Sequence, residues 1–208
     1  MYPFDVFKVQ DQAEIRDFLD EQVFATLIAQ DASGGFVATH LPLLIAEWGE
    51  RIVLRGHVMR ASDHGRALQE GSRVFASFLG PHAPILGSWQ QTPRFGGTWN
   101  YQAVHVHGQV QLRDGETLLD NLKTLKHRFE TSPEHQFDSL PQDYIDAMLP
   151  AIQCIDLCVT DIQAVFKLSQ NRSLAEFDRT AAELALRGGQ AALVAEVMRS
   201  RRDRYFGG

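Results

Sequence analysis

The sequence predicts an α+β domain built on a small closed β-barrel. About six extended segments are joined mostly by short turns, and helical patterns lie between and after them. The clearest extended segment, residues 101–112, alternates almost without a break. Val104, Val106 and Val110 fall on one face of a strand, where they can enter a core. The opposite face carries the polar side chains Tyr101, His105, His107, Gln109 and Gln111.

Composition limits the class of protein. The chain has 208 residues, of which 44% are hydrophobic and 22% are charged, as in an ordinary globular protein. Its net charge of −6 disfavours a dominant nucleic-acid surface. Because the sequence has neither an apolar run of membrane-spanning length nor a signal peptide, we expect a cytoplasmic protein. Cys154 and Cys158 are expected to be reduced, since their spacing along one strand is too long for a disulfide.

Six segments have the composition of strands. They are residues 23–29, 36–45, 51–59, 73–79, 101–112 and 151–168. The first two form a predicted hairpin, and Pro42 interrupts the second because proline lacks the N–H that a sheet needs. Residues 80–97 contain three prolines and four glycines without periodicity, and we expect a long functional loop there.

Six further segments are predicted helices. They begin near Asp11, Ser62, Gly115, Pro141, Ser173 and Gln190. Ser173 and Glu176 form a capping box, and Gly188-Gly189 separates the last two helices. We therefore predict a barrel domain at residues 1–170 and a C-terminal helical extension at residues 171–208 that packs on it.

A candidate phosphate site lies at residues 56–66. There a predicted strand ends, Arg60 follows, Ser62 caps a helix and Arg66 lies in the first helical turn. Free N–H groups at a helix start attract phosphate, and arginines add charge-assisted hydrogen bonds. Asp63 also suits an ordinary helix start, so the same residues are compatible with a purely structural role.

Two histidines, His105 and His107, point the same way from one strand, at a spacing that metal sites use. A third ligand would have to come from His40, His57 or an acid. A pair of strand histidines is more often structural or hydrogen-bonded to a ligand, and we predict no metal site.

Residues 166–171 place a lysine before three hydrogen-bonding side chains at the end of a strand. Lys167 and Ser169 share one face, and such a set can recognise a polar ligand. The alternative is a strand that ends in a polar turn, for which Asn171 is suited.

Four segments occur together in an informative order. They are residues 38–43 (Ala-Thr-His-Leu-Pro-Leu), 56–62 (Gly-His-Val-Met-Arg-Ala-Ser), 98–101 (Thr-Trp-Asn-Tyr) and 166–171 (Phe-Lys-Leu-Ser-Gln-Asn). This set resembles the FMN-binding negative transcriptional regulators, the PaiB-like proteins, over essentially the whole chain. The resemblance implies an FMN-binding split β-barrel related to the pyridoxamine-phosphate oxidases. It also implies a homodimer with FMN at the subunit interface.

The resemblance further implies which residues hold the flavin. They are Thr39, His40, Arg60, Ser62, Arg66, Trp99, Asn100, Gln102, Lys167 and Gln170. The two arginines and the serine would hold the phosphate, and the Thr-His pair would lie beside the ring or the ribityl chain. The Trp-Asn-Gln set would come from the other subunit, while the lysine and the last glutamine would close the pocket.

The sequence departs from the family pattern in the loop expected to meet a substrate. Residues 84–90 are Pro-Ile-Leu-Gly-Ser-Trp-Gln where a Tyr-Ile-Ser-Pro-Ser-Trp-Tyr-like run is usual, and Gly96-Gly97 replaces the usual Val-Pro.

The sequence as a whole supports three functional hypotheses. The first is a small FMN-dependent oxidoreductase or flavin-dependent regulator. The second is a PaiB-like negative transcriptional regulator without a recognisable DNA-reading helix. The third is a haem- or metal-binding barrel that uses strand histidines.

Overall fold

Eight antiparallel strands form one sheet in the structure, a computed structural model that describes residues 4–89 and 96–207. The strands are β1 (Lys8–Val9), β2 (Phe24–Gln30), β3 (Phe36–Pro42), β4 (Leu44–Trp48), β5 (Ile52–Met59), β6 (Arg73–Ile85), β7 (Thr98–Arg113) and β8 (Ile152–Lys167). Their order is β3-β2-β6-β7-β8-β5-β4, and β1 pairs with β8. The α+β class with an antiparallel sheet is confirmed, although the sheet has eight strands where about six were predicted.

The chain also forms seven α-helices in the part that the structure describes. They are α1 (Gln12–Glu21), α2 (Asp63–Ala67), α3 (Glu116–Phe129), α4 (Gln142–Met148), α5 (Leu174–Arg187), α6 (Gly189–Ser200) and α7 (Arg202–Phe206). The predicted capping box at Ser173 and Glu176 is present at the start of α5. Within residues 4–89 and 96–207, no helix is long and apolar enough to cross a membrane.

The two ends of the sheet are consecutive in the chain. β3 is the first strand of the order and β4 is the last, and Leu43 alone separates them. β3 pairs with β2 on one side of this corner, and β4 pairs with β5 on the other. At Gly56 of β5, an added Cβ would lie 2.6 Å from the Pro42 carbonyl oxygen, so the close approach at the corner requires glycine. Pro42 is therefore the last residue of β3, just before the chain passes from one end of the strand order to the other.

The chain divides into two compact units, each assembled from separate segments. The terminal unit comprises Met1–Phe18, Leu79–Val104 and Gln163–Gly208, and the central unit comprises Leu19–Phe78 and His105–Ile162. Strands β6, β7 and β8 each contribute residues to both units. The division predicted at residue 170 stays a prediction.

Strand β7 has the alternation that the sequence predicts. Val104, Val106 and Val110 are fully buried, whereas His107 and Gln109 are exposed. The pattern arises because successive side chains of a strand point to opposite faces. The hairpin of β2 and β3 is also confirmed, and its turn is held by Asp31, whose Oδ1 accepts hydrogen bonds from Ser33 N and Gly35 N.

The prediction of a loop at residues 80–97 is wrong for the first half of that segment. Residues 80–85 continue β6, residues 87–89 form a short 3-10 helix, and residues 90–95 lie outside the described residues. The register of β6 with β2 ends at Ser77, so Pro81 and Pro84 remove no hydrogen bond from that pairing. Gly80 packs on α1, since a Cβ there would lie 2.8 Å from the Phe18 ring.

Candidate functional site

The ten residues that the resemblance implies for the flavin fall equally into the two units. The central unit holds Thr39, His40, Arg60, Ser62 and Arg66. The terminal unit holds Trp99, Asn100, Gln102, Lys167 and Gln170.

The turn between β5 and α2 is built around Ser62. Its Oγ accepts a hydrogen bond from Gly65 N at 3.0 Å and donates one to the Met59 carbonyl oxygen at 2.6 Å. A Cβ at Gly65 would lie 2.2 Å from that same carbonyl oxygen, so any side chain there would displace the turn. The hydroxyl and the glycine together hold the turn in one conformation, with Arg60 before Ser62 and Arg66 after it.

Both arginines of this turn reach the surface, and each is paired with an aspartate. Arg60 Nη2 lies 2.5 Å from Asp114 Oδ1, and Arg60 Nη1 donates to Gln153. Arg66 pairs with Asp63 and donates to the Ala61 carbonyl oxygen. All four charged side chains are more than two-fifths exposed. Ion pairs at that exposure contribute little to stability, which leaves both guanidinium groups available to a stronger anion.

Thr39 and His40 lie on β3, and helix α2 packs against this strand as well as against β2 and β5. His40 is exposed and its ring stacks on Phe24, with 6.1 Å between the ring centroids. Thr39 is half-buried and faces Leu27 across the hairpin. The structure thus brings the two predicted ring-contact residues and the two arginines to neighbouring elements of the central unit.

His64 was missed by the sequence analysis. It lies in α2 with 2% of its surface exposed, and within the described residues neither ring nitrogen has a hydrogen-bond partner. Burial lowers the pKa of His64, which favours the neutral imidazole. Asp114 and Gln153, the partners of Arg60, were also missed, because they lie 54 and 93 residues away in the sequence.

In the terminal unit the Lys167–Gln170 segment is bound to the start of β7. Lys167 Nζ donates to the Trp99 carbonyl oxygen at 2.8 Å and to Thr98 Oγ1. Asn100 and Ser169 exchange side-chain hydrogen bonds at 3.0 and 3.1 Å. Gln170 Nε2 donates to the Phe166 and Val6 carbonyl oxygens. Burial and the nearby Arg172 lower the pKa of Lys167.

The three predicted flavin contacts on β7, Trp99, Asn100 and Gln102, differ in how deeply they are buried. Asn100 is fully buried and Gln102 is 4% exposed, so both side chains face the interior of the terminal unit. Trp99 is 48% exposed, and its indole stacks on His82 with a centroid separation of 6.0 Å. Trp99 is therefore the member of the set that reaches the surface.

The histidines considered for metal or haem fall into three sets by the residues that they contact. His105 and His107 both pack on the Phe75 ring, at centroid distances of 4.9 and 5.0 Å. His57 Nδ1 lies 3.1 Å from Asn121 Nδ2, and His40 stacks on Phe24. Among residues 4–89 and 96–207, no group of three or more His, Cys, Asp or Glu side chains is arranged to hold a metal ion.

Comparison with known proteins shows that the chain matches a described family. Residues 1–161 match the family described as "Putative FMN-binding domain". The chain is 32% identical to the protease synthase and sporulation protein PAI 2 of Bacillus subtilis (strain 168) over 179 residues, which cover 85% of this chain and 86% of the relative.

Two solved structures are similar in fold. The FAD and heme binding protein of Mycobacterium smegmatis superimposes with a TM-score of 0.59 at 17% identity, covering 77% of this chain and 73% of that one. The conserved hypothetical protein Rv2991 of Mycobacterium tuberculosis does so with a TM-score of 0.56 at 14% identity, covering 83% of this chain and 94% of that one. The predicted split-barrel fold and the predicted family are both confirmed, and the chain belongs to the PaiB-like family described as "Putative FMN-binding domain".

Proposed function

We propose that this protein binds FMN and that the turn between β5 and α2 holds the phosphate of the cofactor. The observation that carries the proposal is the placement of Arg60 and Arg66 on either side of Ser62, in a turn that Gly65 and the Ser62 hydroxyl fix. The family match over residues 1–161 supports FMN as the ligand.

The two arginines fit a dianionic phosphate. A guanidinium group forms bidentate, charge-assisted hydrogen bonds with phosphate oxygens, which are stronger than neutral hydrogen bonds. Arg60 and Arg66 would exchange exposed aspartates for the phosphate, and an exposed ion pair is worth about 1 kcal/mol or less. The Ser62 hydroxyl already donates to Met59 and accepts from Gly65, so its part is to position the arginines.

Thr39 and His40 would contact the ring or the ribityl chain, since β3 packs against α2. In the proposed homodimer, Trp99 of one protomer contributes its exposed indole to the flavin of its partner. Asn100 and Gln102 then position β7 from within the terminal unit, because both are buried. Lys167 and Gln170 hold the Trp99 backbone and the strand end, through hydrogen bonds to Trp99 O and Phe166 O.

Bound FMN would supply hydride or one-electron transfer, and the chain would supply binding, orientation and electrostatics. A flavin-dependent oxidoreductase or flavin-dependent regulator is thus the function that the geometry supports best. The name of the relative PAI 2 associates that protein with protease synthesis and sporulation, which is compatible with a regulatory role for this chain.

A flavin-fluorescence titration tests the phosphate assignment. Losing one partner of a buried charge pair costs about 2–5 kcal/mol. Because Arg60 is partly exposed, we expect Arg60→Ala to lie near the lower limit, which is a loss of FMN affinity of about thirtyfold. Riboflavin lacks the phosphate, so it should bind wild type poorly and should respond little to the substitution.

Arg51→Ala is the matched control, because Arg51 is an exposed arginine of the central unit that pairs with Glu47. It should bind FMN as wild type does, and His107→Ala should have a smaller effect than Arg60→Ala. If Arg60→Ala and Arg66→Ala both retain wild-type FMN affinity, the phosphate is bound elsewhere.

A further inference from the structure

A pocket lies on the sheet within the central unit, and residues of the four neighbouring strands β3, β2, β6 and β7 line it. Its volume is about 590 Å³, inside the range of small-molecule sites. None of the ten residues predicted to hold the flavin lines it. We propose that this pocket binds an aromatic carboxylate with two fused rings, with the carboxylate on Arg73 and the rings on Phe36 and Phe75.

The lining side chains of three strands lie on one face of the sheet. The register places Ile28 opposite Phe75 and Gln30 opposite Phe36, and side chains at directly opposite positions of antiparallel strands share a face. Ile28 and Gln30 are two residues apart on β2, so both pairs are on the same face. Arg73 is two residues before Phe75 on β6 and shares that face as well. One surface thus presents a cation, an amide and two aromatic rings together.

Strand β7 forms a wall of the pocket that is fixed in place. The His107 ring packs on the Phe75 ring, with 5.0 Å between the centroids. Thr160 Oγ1 donates a hydrogen bond to the His107 carbonyl oxygen at 3.2 Å. At Gly108 an added Cβ would lie 2.4 Å from the Cys158 carbonyl oxygen, so the close approach of β7 to β8 requires glycine. A wall that is already ordered lowers the entropic cost of binding a ligand.

Arg73 supplies the positive charge of the pocket. Its side chain is exposed, and within residues 4–89 and 96–207 it forms neither an ion pair nor a hydrogen bond. No described lining residue is acidic. A guanidinium group without a counter-charge can bind a carboxylate through two charge-assisted hydrogen bonds. Gln30 and Gln109 are exposed in the same pocket, and their amide groups can donate further hydrogen bonds to a carboxylate oxygen.

The aromatic surface of the pocket is open to a ligand. Phe36 is 78% exposed, and a ring ligand that covered it would remove apolar surface from water. Phe75 is half-buried and adds a second ring. Phe36 is on β3 and Arg73 is on β6, with β2 between them, so about 10 Å separates the two strands. Two fused rings that carry a carboxylate cover more of this distance than a single ring does.

The test is a ligand-detected NMR titration of the full chain with naphthoate, in the absence of FMN. Naphthamide is the neutral isostere of naphthoate, and benzoate is the acid with a single ring. We expect naphthoate to bind in the millimolar range or tighter, and each of the other two probes to bind about fivefold more weakly or worse.

Two substitutions separate the charge from the ring contact. Arg73→Gln should weaken naphthoate by about five- to tenfold, because an ion pair at an exposed site is lost, and should leave naphthamide unchanged. Phe36→Ala should weaken both naphthyl probes by about three- to tenfold, because an aromatic contact is lost. Both side chains are exposed, so neither substitution removes a group from the core.

Arg51→Gln and Phe129→Ala are the matched controls, because both residues are exposed, belong to the central unit and lie outside the pocket. Each should bind naphthoate as wild type does. Absence of naphthoate binding, equal losses in Arg73→Gln and Arg51→Gln, or benzoate binding as tight as that of naphthoate would overturn the proposal.

Two further results would assign the pocket to another role and overturn the proposal. Displacement of naphthoate by FMN in proportion to flavin occupancy would make the pocket part of the flavin site. Loss of naphthoate binding as the protein is concentrated and dimerises would make this face part of a subunit interface. Failure to bind FMN leaves the titration unaffected, so this proposal and the proposed flavin site fail separately.

Discussion

Asp156 is a buried charge of the central unit, and two arginines pair with it. It lies on β8 with 4% of its side chain exposed. Arg55 binds both carboxylate oxygens, at 2.6 and 3.0 Å, and Arg113 Nε lies 2.9 Å from one of them. Asp156→Asn keeps the shape of the side chain and removes the charge that the two arginines share.

The expected loss of stability in Asp156→Asn follows from how exposed the two arginine side chains are. Breaking a buried ion pair costs about 3–5 kcal/mol, since the remaining charge is left uncompensated. The Arg55 and Arg113 side chains are 22% and 41% exposed, so water compensates part of the loss. We expect Asp156→Asn to lower the free energy of unfolding by about 2–3 kcal/mol, measured by urea denaturation at neutral pH.

Asp120→Asn is the control, because Asp120 pairs with the same Arg55 at 3.7 Å but is 70% exposed. It should cost no more than about 1 kcal/mol. Burial alone would raise the pKa of Asp156, but the hydrogen bonds from Arg55 and Arg113 lower it below the usual 3.8. The stabilisation is therefore present above the unfolded-state pKa and is lost as pH falls through the folded-state pKa. The difference between wild type and Asp156→Asn should shrink in acid, and equal costs for the two variants at neutral pH would refute the reasoning.

Three further predictions concern assembly, DNA and the thiols. The proposed homodimer should sediment as a dimer at micromolar concentration, and a folded monomer of 23.4 kDa would contradict it. DNA binding, if present, should be weak and should fade steeply with salt, because the net charge is −6; nanomolar, sequence-selective binding in a gel shift at physiological salt would contradict this. Burial raises the pKa of Cys154 to about 11, so a thiol reagent should modify the half-buried Cys158 first and Cys154 only on unfolding. If the reagent modified Cys154 in the folded Cys158→Ser variant, the predicted order would be wrong.

The sequence was sufficient where local pattern decides structure. The alternation of β7, the Ser62 cap and the Ser173 capping box each depend on residues within a few positions of one another. The corner at Pro42 was predicted as an interruption for the same reason. The prolines after Gly80 led to the wrong prediction of a loop. A proline interrupts a strand only where a neighbouring strand needs its N–H, and the pairing of β2 with β6 does not extend that far.

The candidate site was predictable only in part, because its geometry depends on non-local contacts. Arg60 and Arg66 stood out from their spacing around Ser62, but the partners of Arg60 come from other elements. Asn100 and Ser169 are 69 residues apart, and nothing local indicates that they meet. The positive φ of Ser169 had no sequence signal either, since serine is not a residue type that prefers this conformation.

The absorption spectrum of the purified protein after reconstitution with FMN and removal of free flavin tests the central claim most directly. We predict a flavin spectrum with one FMN per chain, and its loss when Arg60 and Arg66 are both replaced by alanine. Two results would contradict it: a protein that retains no flavin, or a haem absorption band that persists in the double variant.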